Sequence, residues 1–228
     1  HNDSRLGLAR GFGQVGGESK AVSSFELNKL THFLSPVGKV RCYNKLTNRQ
    51  ENSLSKVLLI TGGSRGIGAA TALLAAAQDY AVAVNYAANS LAADEVVRQI
   101  RAAGGTAMTV QADVAVEADV LAMFQKVDAK LGRLTALVNN AGVVDLTSRV
   151  DAMSLTRLQR MFAINVFGSF MCAREAVKRM STRYQGDGGA IVNVSSAAAR
   201  LGAPGQYVDY AAAKGAIDTF TVGLAKEV

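Results

Sequence analysis

Cysteine is nearly absent from these 228 residues: Cys42 and Cys172 stand alone in unrelated contexts, which excludes a disulfide framework and a cysteine metal site. Cys172 follows Phe170 and Met171 on a long helical stretch and reads as a small core residue rather than a nucleophile. Proline is equally scarce, with only Pro36 and Pro204. No uninterrupted apolar run reaches the roughly 20 residues a membrane helix needs. Nor does a charged segment lead into an apolar one at the N-terminus, as a secretory signal would. A cytoplasmic protein with no membrane partner is the expectation. The formal charge of +7 is unevenly placed. Residues 1–53 hold eight Lys and Arg against four Asp and Glu, whereas residues 54–228 hold seventeen against fourteen. No basic stripe interleaved with aromatics runs through the body, so nucleic acid is not an expected partner.

What is present divides the chain in two. Residues 1–53 begin with His1 and run through Gly11-Phe12-Gly13 and Gly16-Gly17 without sustained periodicity. Phe25, Leu27, Leu30, Phe33 and Leu34 suit one short amphipathic helix, stopped by Pro36 and Gly38. This leader holds few apolar residues to offset ordering entropy and reads as disordered, or as translated sequence outside the mature protein, ahead of a targeting or regulatory role.

From Leu54 the pattern becomes regular. Short apolar runs at Val57–Thr61, Tyr80–Tyr86, Thr106–Gln111, Leu134–Asn139 and Ala190–Ser195 alternate with helical stretches at Ile67–Gln78, Ser90–Ala103 and Val116–Leu131. A long helix over Leu155–Met180, capped by Ser154, follows the fourth run. A turn at Gly186–Gly189 precedes the fifth, and the chain is helical from Asp209 onward. This spacing specifies an α/β fold, a Rossmann-like doubly wound parallel sheet with right-handed crossovers and helices on both faces, over residues 54–228.

Three features carry chemistry. Tyr210 and Lys214 stand four apart, so a helix sets phenol and ammonium on one face, where the positive charge favours the phenolate. Ser195-Ser196 lies upstream of that pair, at the end of the fifth strand. Thr61-Gly62-Gly63-Ser64-Arg65-Gly66-Ile67-Gly68 joins the first strand to the first helix. Glycines there permit a tight turn and a close backbone approach, and the helix N-terminus offers N–H groups and a positive dipole end to phosphates. Tyr207 lacks a lysine four residues on and reads as a pocket-wall or packing residue. Asp209 reads as a candidate cap of the last helix with no part in the chemistry.

Together these residues resemble the short-chain dehydrogenase/reductase family. The glycine turn matches its Thr-Gly-x-x-x-Gly-x-Gly motif, and Asn139-Asn140-Ala141-Gly142 matches its Asn-Asn-Ala-Gly. Asn165, Ser196, Tyr210 and Lys214 match its catalytic tetrad in order, and the likeness covers about Ser55 to Val228. The resemblance implies Tyr210 as general acid/base for a carbonyl or alcohol. Lys214 would depress its pKa and donate to the nicotinamide ribose, Ser196 would hydrogen-bond the substrate oxygen, and Asn165 would hold a water between Lys214 and solvent. The step from Ser196 to Tyr210 is one residue longer than is common in the family, so Ser195 stays open as the alternative. Gly202, Pro204 and Gly205 supply a loop to absorb the extra residue.

The resemblance also implies a nicotinamide cofactor. Gly62, Ser64, Arg65, Gly66, Ile67 and Gly68 would bind it, with Asn85 and Tyr86 after strand two, Asp113 and Val114 at the adenine, Asn140, Ala141 and Gly142, and Tyr210 and Lys214. An acid after strand two, which would take the ribose 2′-OH of NAD, is missing from Asn85-Tyr86-Ala87-Ala88-Asn89. Arg65 suits a 2′-phosphate instead, so NADP is expected, with NAD as the alternative. The family normally continues past the helix in which this chain stops, with a sixth strand and a substrate-binding segment, so an incomplete chain is expected, inactive by itself. The complete protein is expected to be a homodimer or homotetramer through the long helix. The activity implied is NADP(H)-dependent interconversion of a small carbonyl compound and an alcohol. Acyl-carrier-protein reductase and glucose 1-dehydrogenase activities are alternatives within the class, and a non-catalytic nucleotide-binding or scaffold fragment is the alternative outside it. The run Tyr207-Val208-Asp209-Tyr210 leans slightly away from the acyl-carrier reductase.

Overall fold

A computed structural model describes residues 56–228. The readings of a disordered leader and of a helix from Phe25 to Leu34 lie outside these residues. Strand β1 (Lys56–Ile60) leads through the glycine turn into α1 (Gly66–Ala76). Then come β2 (Tyr80–Tyr86), α2 (Ser90–Ala102), β3 (Ala107–Gln111), α3 (Glu117–Leu131) and β4 (Ala136–Asn139). After β4 come a 3-10 turn at Val150–Ala152, α4 (Leu155–Phe162), a π-turn (Ala163–Phe167) and α5 (Gly168–Met180). A 3-10 turn at Thr182–Tyr184, β5 (Ala190–Asn193), α6 (Ala198–Leu201) and α7 (Val208–Glu227) complete the order. All five strands are parallel, in the order β3-β2-β1-β4-β5.

The order of the strands explains their composition. With β1 central, its residues are buried on both faces and alternate between two cores. Val57 and Leu59 pack with Met123, Phe124 and Val127 of α3 and Cys172 and Ala176 of α5. Leu58 and Ile60 pack on the other face with Ala72 of α1 and Val96, Val97 and Ile100 of α2. Each such side chain contributes about 1.5–3 kcal/mol when fully buried, and a continuous apolar run is what a strand covered on both faces requires. The strand order reverses between β2 and β4 about β1, which opens a crevice at the carboxyl ends of the strands.

Three sequence expectations are corrected. The helix expected over Leu155–Met180 is interrupted at Ala163–Phe167. There the Asn165 side chain donates to the Met161 carbonyl four residues back (3.0 Å), and its Oδ1 accepts from the Val143 amide (3.1 Å), inserting an amide into the helical ladder. The fourth strand starts at Ala136, not Leu134. Thr135 spends its amide and hydroxyl on Val57, and Leu134 is core without being ladder. Residues 198–201, to which the sequence pattern assigned no element, form the short α6, with Gly202 (φ 75°) ending it in the left-handed region. Asp209 does not cap the last helix. Tyr207 holds the cap position without a side-chain bond, and the Asp209 carboxylate turns inward to Arg157. Ser154 does cap α4, accepting from the Arg157 amide at 3.2 Å.

Among the described residues no helix is long and apolar enough to cross a membrane. Cys172 is buried, and burial, with the nearby Glu175 charge adding to it, pushes its thiol up to about 12. It is an inert packing residue.

Candidate active site

The glycine turn is held from below by side chains that the sequence reading assigned to the cofactor. Asn85, fully buried at the end of β2, accepts from the Gly62 amide (3.1 Å) and donates to the carbonyls of Ala112 (3.0 Å) and Val110 (3.3 Å). Asn140 donates to the carbonyls of Thr61 (3.0 Å) and Gly62 (2.9 Å). Thr61, which sequence reasoning saw only as a motif letter, accepts from the amides of Asn140 and Ala141, both at 3.0 Å. The ends of β1 and β4 are thereby fastened together beneath the turn. Gly68 lies where any side chain would collide: a Cβ there falls 2.5 Å from the Gly62 carbonyl and 2.6 Å from Asn140 Nδ2. Gly62 (φ 61°) and Gly66 (φ 55°) take backbone angles that favour glycine.

Above the turn opens a cleft of about 610 Å3. It brings together Gly62, Ser64, Arg65 and Ile67 of the turn and Asn85 and Tyr86 at the end of β2. Asp113 and Val114 after β3, and Asn140, Ala141 and Gly142 after β4, line it too, whereas Tyr210 and Lys214, also expected at the cofactor, are outside the lining. Gly66 and Gly68 are outside its lining and shape the turn beneath it. Arg65 is exposed and shares the wall with Ala87, Ala88 and Asn89. The Asp113 carboxylate accepts from the Ala115 amide (2.9 Å), and its own amide donates to Asp119 (3.0 Å), fixing the loop after β3. Sequence reasoning missed Arg160 and Ile164, which reach the same cleft from α4 and the π-turn. Their signal was helical spacing alone, which says nothing of which face meets the cleft.

Beside this cleft, at Gly142, stand Asn165 and Lys214, with Tyr210 on the helix that carries the lysine. Lys214 Nζ lies 5.7 Å from the centroid of the Tyr210 ring, one helical turn apart, and donates to the Val194 carbonyl at 2.7 Å. Burial holds the Lys214 ammonium below its ordinary range, with Asp218 opposing the shift. The Tyr207 ring packs edge-on against the Tyr210 ring at 5.9 Å. Ser195 donates to the Lys214 carbonyl (3.4 Å), whereas Ser196 Oγ accepts from the Ala198 amide (3.2 Å) and keeps its proton to donate. Gly142 lies between Asn165 and Lys214. The point a Cβ would occupy is 2.7 Å from Asn165 Oδ1 and 3.7 Å from Lys214 Nζ, so a residue without a side chain leaves polar space between the two. Such a constellation can move a proton at a phenol oxygen and bind an oxyanion nearby.

A nicotinamide dinucleotide fits what these residues make. The side-chain-free cradle at Gly62, Gly63 and Gly68, the uncapped N-terminus of α1 and the long cleft suit a pyrophosphate and its two nucleosides.

Residues 56–228 match the family model described as short chain dehydrogenase. The chain is similar to the uncharacterized oxidoreductase YgfF of Escherichia coli K12, with 56% identity over 172 residues, covering 75% of this chain and 70% of that protein. It is similar also to a 3-oxoacyl-acyl-carrier-protein reductase of Synechocystis, with 42% identity over 174 residues, covering 76% and 68%. Among solved structures, a short-chain dehydrogenase/reductase from Serratia marcescens BCRC 10948 matches with a TM-score of 0.71 and 35% identity, over 75% of this chain and 68% of that one.

Proposed function

The chain belongs to the short-chain dehydrogenase/reductase family, and on that premise we propose that it interconverts a carbonyl compound and an alcohol with NADP(H), using Tyr210 as general acid/base. The observation that carries this reading is the placement of Tyr210 and the buried Lys214 on one face of α7, beside the cleft above the glycine turn. In the reducing direction the Tyr210 phenol gives its proton to the carbonyl oxygen; in the oxidising direction the phenolate takes the alcohol proton. The Lys214 ammonium stabilises that phenolate. Ser196 donates to the substrate oxygen as charge develops on it, and its spare proton supports it over Ser195. Asn165 and Lys214 hold a water beside Gly142 that returns protons to the site. When bound, the nicotinamide supplies or accepts the hydride.

NADP over NAD is supported by the exposed Arg65 guanidinium beside a β2 end, Asn85 to Asn89, that carries no acid. Self-association is supported by an apolar face on α5 and α7. Phe170 stacks on Phe220 at 3.8 Å yet stays 45% exposed, and Phe167 is 58% exposed. A cytoplasmic location agrees with the want of a membrane helix among the described residues.

The likeness to a 3-oxoacyl-acyl-carrier-protein reductase makes a 3-oxoacyl thioester the first substrate to try. The test follows nicotinamide absorbance with NADPH and acetoacetyl-coenzyme A or ethyl acetoacetate, and with NADP and glucose. Cofactor-dependent turnover of any of these supports the reading. NADPH bound in the cleft with no turnover of any probe favours the non-catalytic alternative.

A further inference from the structure

A buried ion pair lies one residue from Tyr210 and outside the tetrad. Arg157 Nε donates to Asp209 at 2.8 Å and Nη2 to the other carboxylate oxygen at 3.3 Å. The side chains are 12% and 0% exposed. Arg157 Nη1 also donates to the Leu146 carbonyl at 2.6 Å. One guanidinium therefore joins three pieces of chain: α4, the first turn of α7, and the loop that leaves β4 just after Gly142.

The surroundings explain why that junction matters. The stretch from Ser196 to Tyr210 bends through three residues of positive φ, Gly202 (75°), Ala203 (46°) and Gly205 (70°), so it is a weak lever for setting where α7 begins. Tyr207 at the cap position makes no side-chain cap bond. The Asp209 carboxylate sits instead in the first turn, near the amides of Tyr210 and of Asp209 itself, where a negative charge complements the helix dipole. Across the same gap the Ser148 amide donates to the Gln206 carbonyl at 2.8 Å, tying the loop after β4 to the segment before α7. Arg157 is itself fixed at its backbone by the Ser154 cap.

We propose that the Arg157–Asp209 pair is a positioning device for turnover: it fixes the first turn of α7, and so the Tyr210 phenol, against the loop that follows Gly142. The inference rests on Tyr210 being the acid/base. Stability alone does not explain the pair, because replacing a buried ion pair with apolar residues of similar size is often neutral or stabilising. Its geometry explains it better, since the planar guanidinium fixes two carboxylate oxygens and a carbonyl in one plane, a constraint that lysine or a methyl-lined contact cannot reproduce.

The experiment uses the complete protein and three variants of it, Asp209→Asn, the apolar pair Arg157→Met/Asp209→Leu, and Tyr210→Phe. Three quantities are measured: kcat with NADPH and acetoacetyl-coenzyme A or ethyl acetoacetate, NADPH affinity by fluorescence, and melting temperature. Misplacing the reacting group by about 1 Å lowers turnover by up to roughly 100-fold. Asp209→Asn is therefore expected to lose ten- to a hundredfold in kcat, with NADPH affinity unchanged. The apolar pair is expected to recover the melting temperature but not kcat. Recovery of kcat together with stability in the apolar pair, or unchanged kcat in Asp209→Asn, overturns the proposal while the acid/base reading stands. Normal turnover in Tyr210→Phe, or none in the complete wild-type protein, overturns that reading, and this one with it.

Discussion

Gly68→Ala adds one methyl group at the tightest point under the glycine turn. The new Cβ would stand 2.5 Å from the Gly62 carbonyl oxygen, 2.6 Å from Asn140 Nδ2 and 3.0 Å from the Gly63 Cα, where ordinary contact begins at 3.4 Å. Two of these atoms are bonded to one another, Asn140 Nδ2 donating to the Gly62 carbonyl at 2.9 Å, so neither can retreat alone. The turn must move away from α1 by about 1 Å, in an interior packed without voids. Overpacking of this kind costs about 1–3 kcal/mol, and the loss of the Asn140 bond about 1 more. The better helix propensity of alanine returns about 1. The balance is a loss of roughly 1–3 kcal/mol, which for a domain of this size lowers the melting temperature by about 3–10 °C. NADPH affinity should fall as well, because the displaced backbone is the surface that meets the pyrophosphate. Gly215→Ala in α7 is the control. Nothing lies within 4 Å of its added Cβ, so the melting temperature should hold or rise by an amount worth up to about 1 kcal/mol. Differential scanning fluorimetry and NADPH fluorescence titration measure both effects. A Gly68→Ala protein with wild-type stability and affinity would refute the claim that close approach, and not mere flexibility, sets this position.

Arg65→Ala should weaken NADPH binding by roughly ten- to a hundredfold, the worth of one charge-assisted hydrogen bond, and leave NADH binding nearly unchanged; equal losses in fluorescence titration would remove Arg65 as the discriminator. Burial pushes the Glu175 carboxyl up, but hydrogen bonds from Lys178 and Arg179 outweigh it and hold the group below the usual carboxylate range. A depressed folded pKa gives stability that is complete above the ordinary carboxylate range, near pH 4.3, and lost as pH falls through the folded value. Glu175→Gln should therefore have a flatter acid-side decline in melting temperature than wild type, and an identical decline would contradict the assignment. Sedimentation at micromolar concentration should show the chain self-associating, and Phe170→Asp should shift it toward monomer by placing a charge on the apolar face of α5; a monomeric wild-type chain would rule out that face as an interface.

Much of this architecture was legible because burial on both faces of a parallel sheet leaves an unbroken apolar run. The β2 boundaries at Tyr80 and Tyr86 were read without error for that reason. The cleft was legible too, since the glycine turn and Asn140-Ala141-Gly142 sit at strand ends whose neighbours follow from the alternation. What was not legible depends on partners distant in sequence. Asn85 lines the cleft, but its side-chain bond to the Gly62 amide, 23 residues away, could not be read from its place at the end of strand two. Asp209 matched a local cap pattern, whereas its partner Arg157 lies 52 residues upstream. The π-turn arises from Asn165 bonding Val143 across 22 residues, which periodicity within one helix cannot report. Four-residue α6 is too short to show a period at all.

The central claim is that Tyr210 carries the proton. Tyr210→Phe keeps the ring, its edge contact with Tyr207 and its place over Lys214, and removes only the phenol oxygen. Steady-state turnover with NADPH, measured beside NADPH affinity in the same preparation, tests it most directly. The expected result is kcat reduced by at least about 100-fold, the usual worth of a general acid/base, with cofactor affinity unchanged. Wild-type kcat in Tyr210→Phe would contradict it.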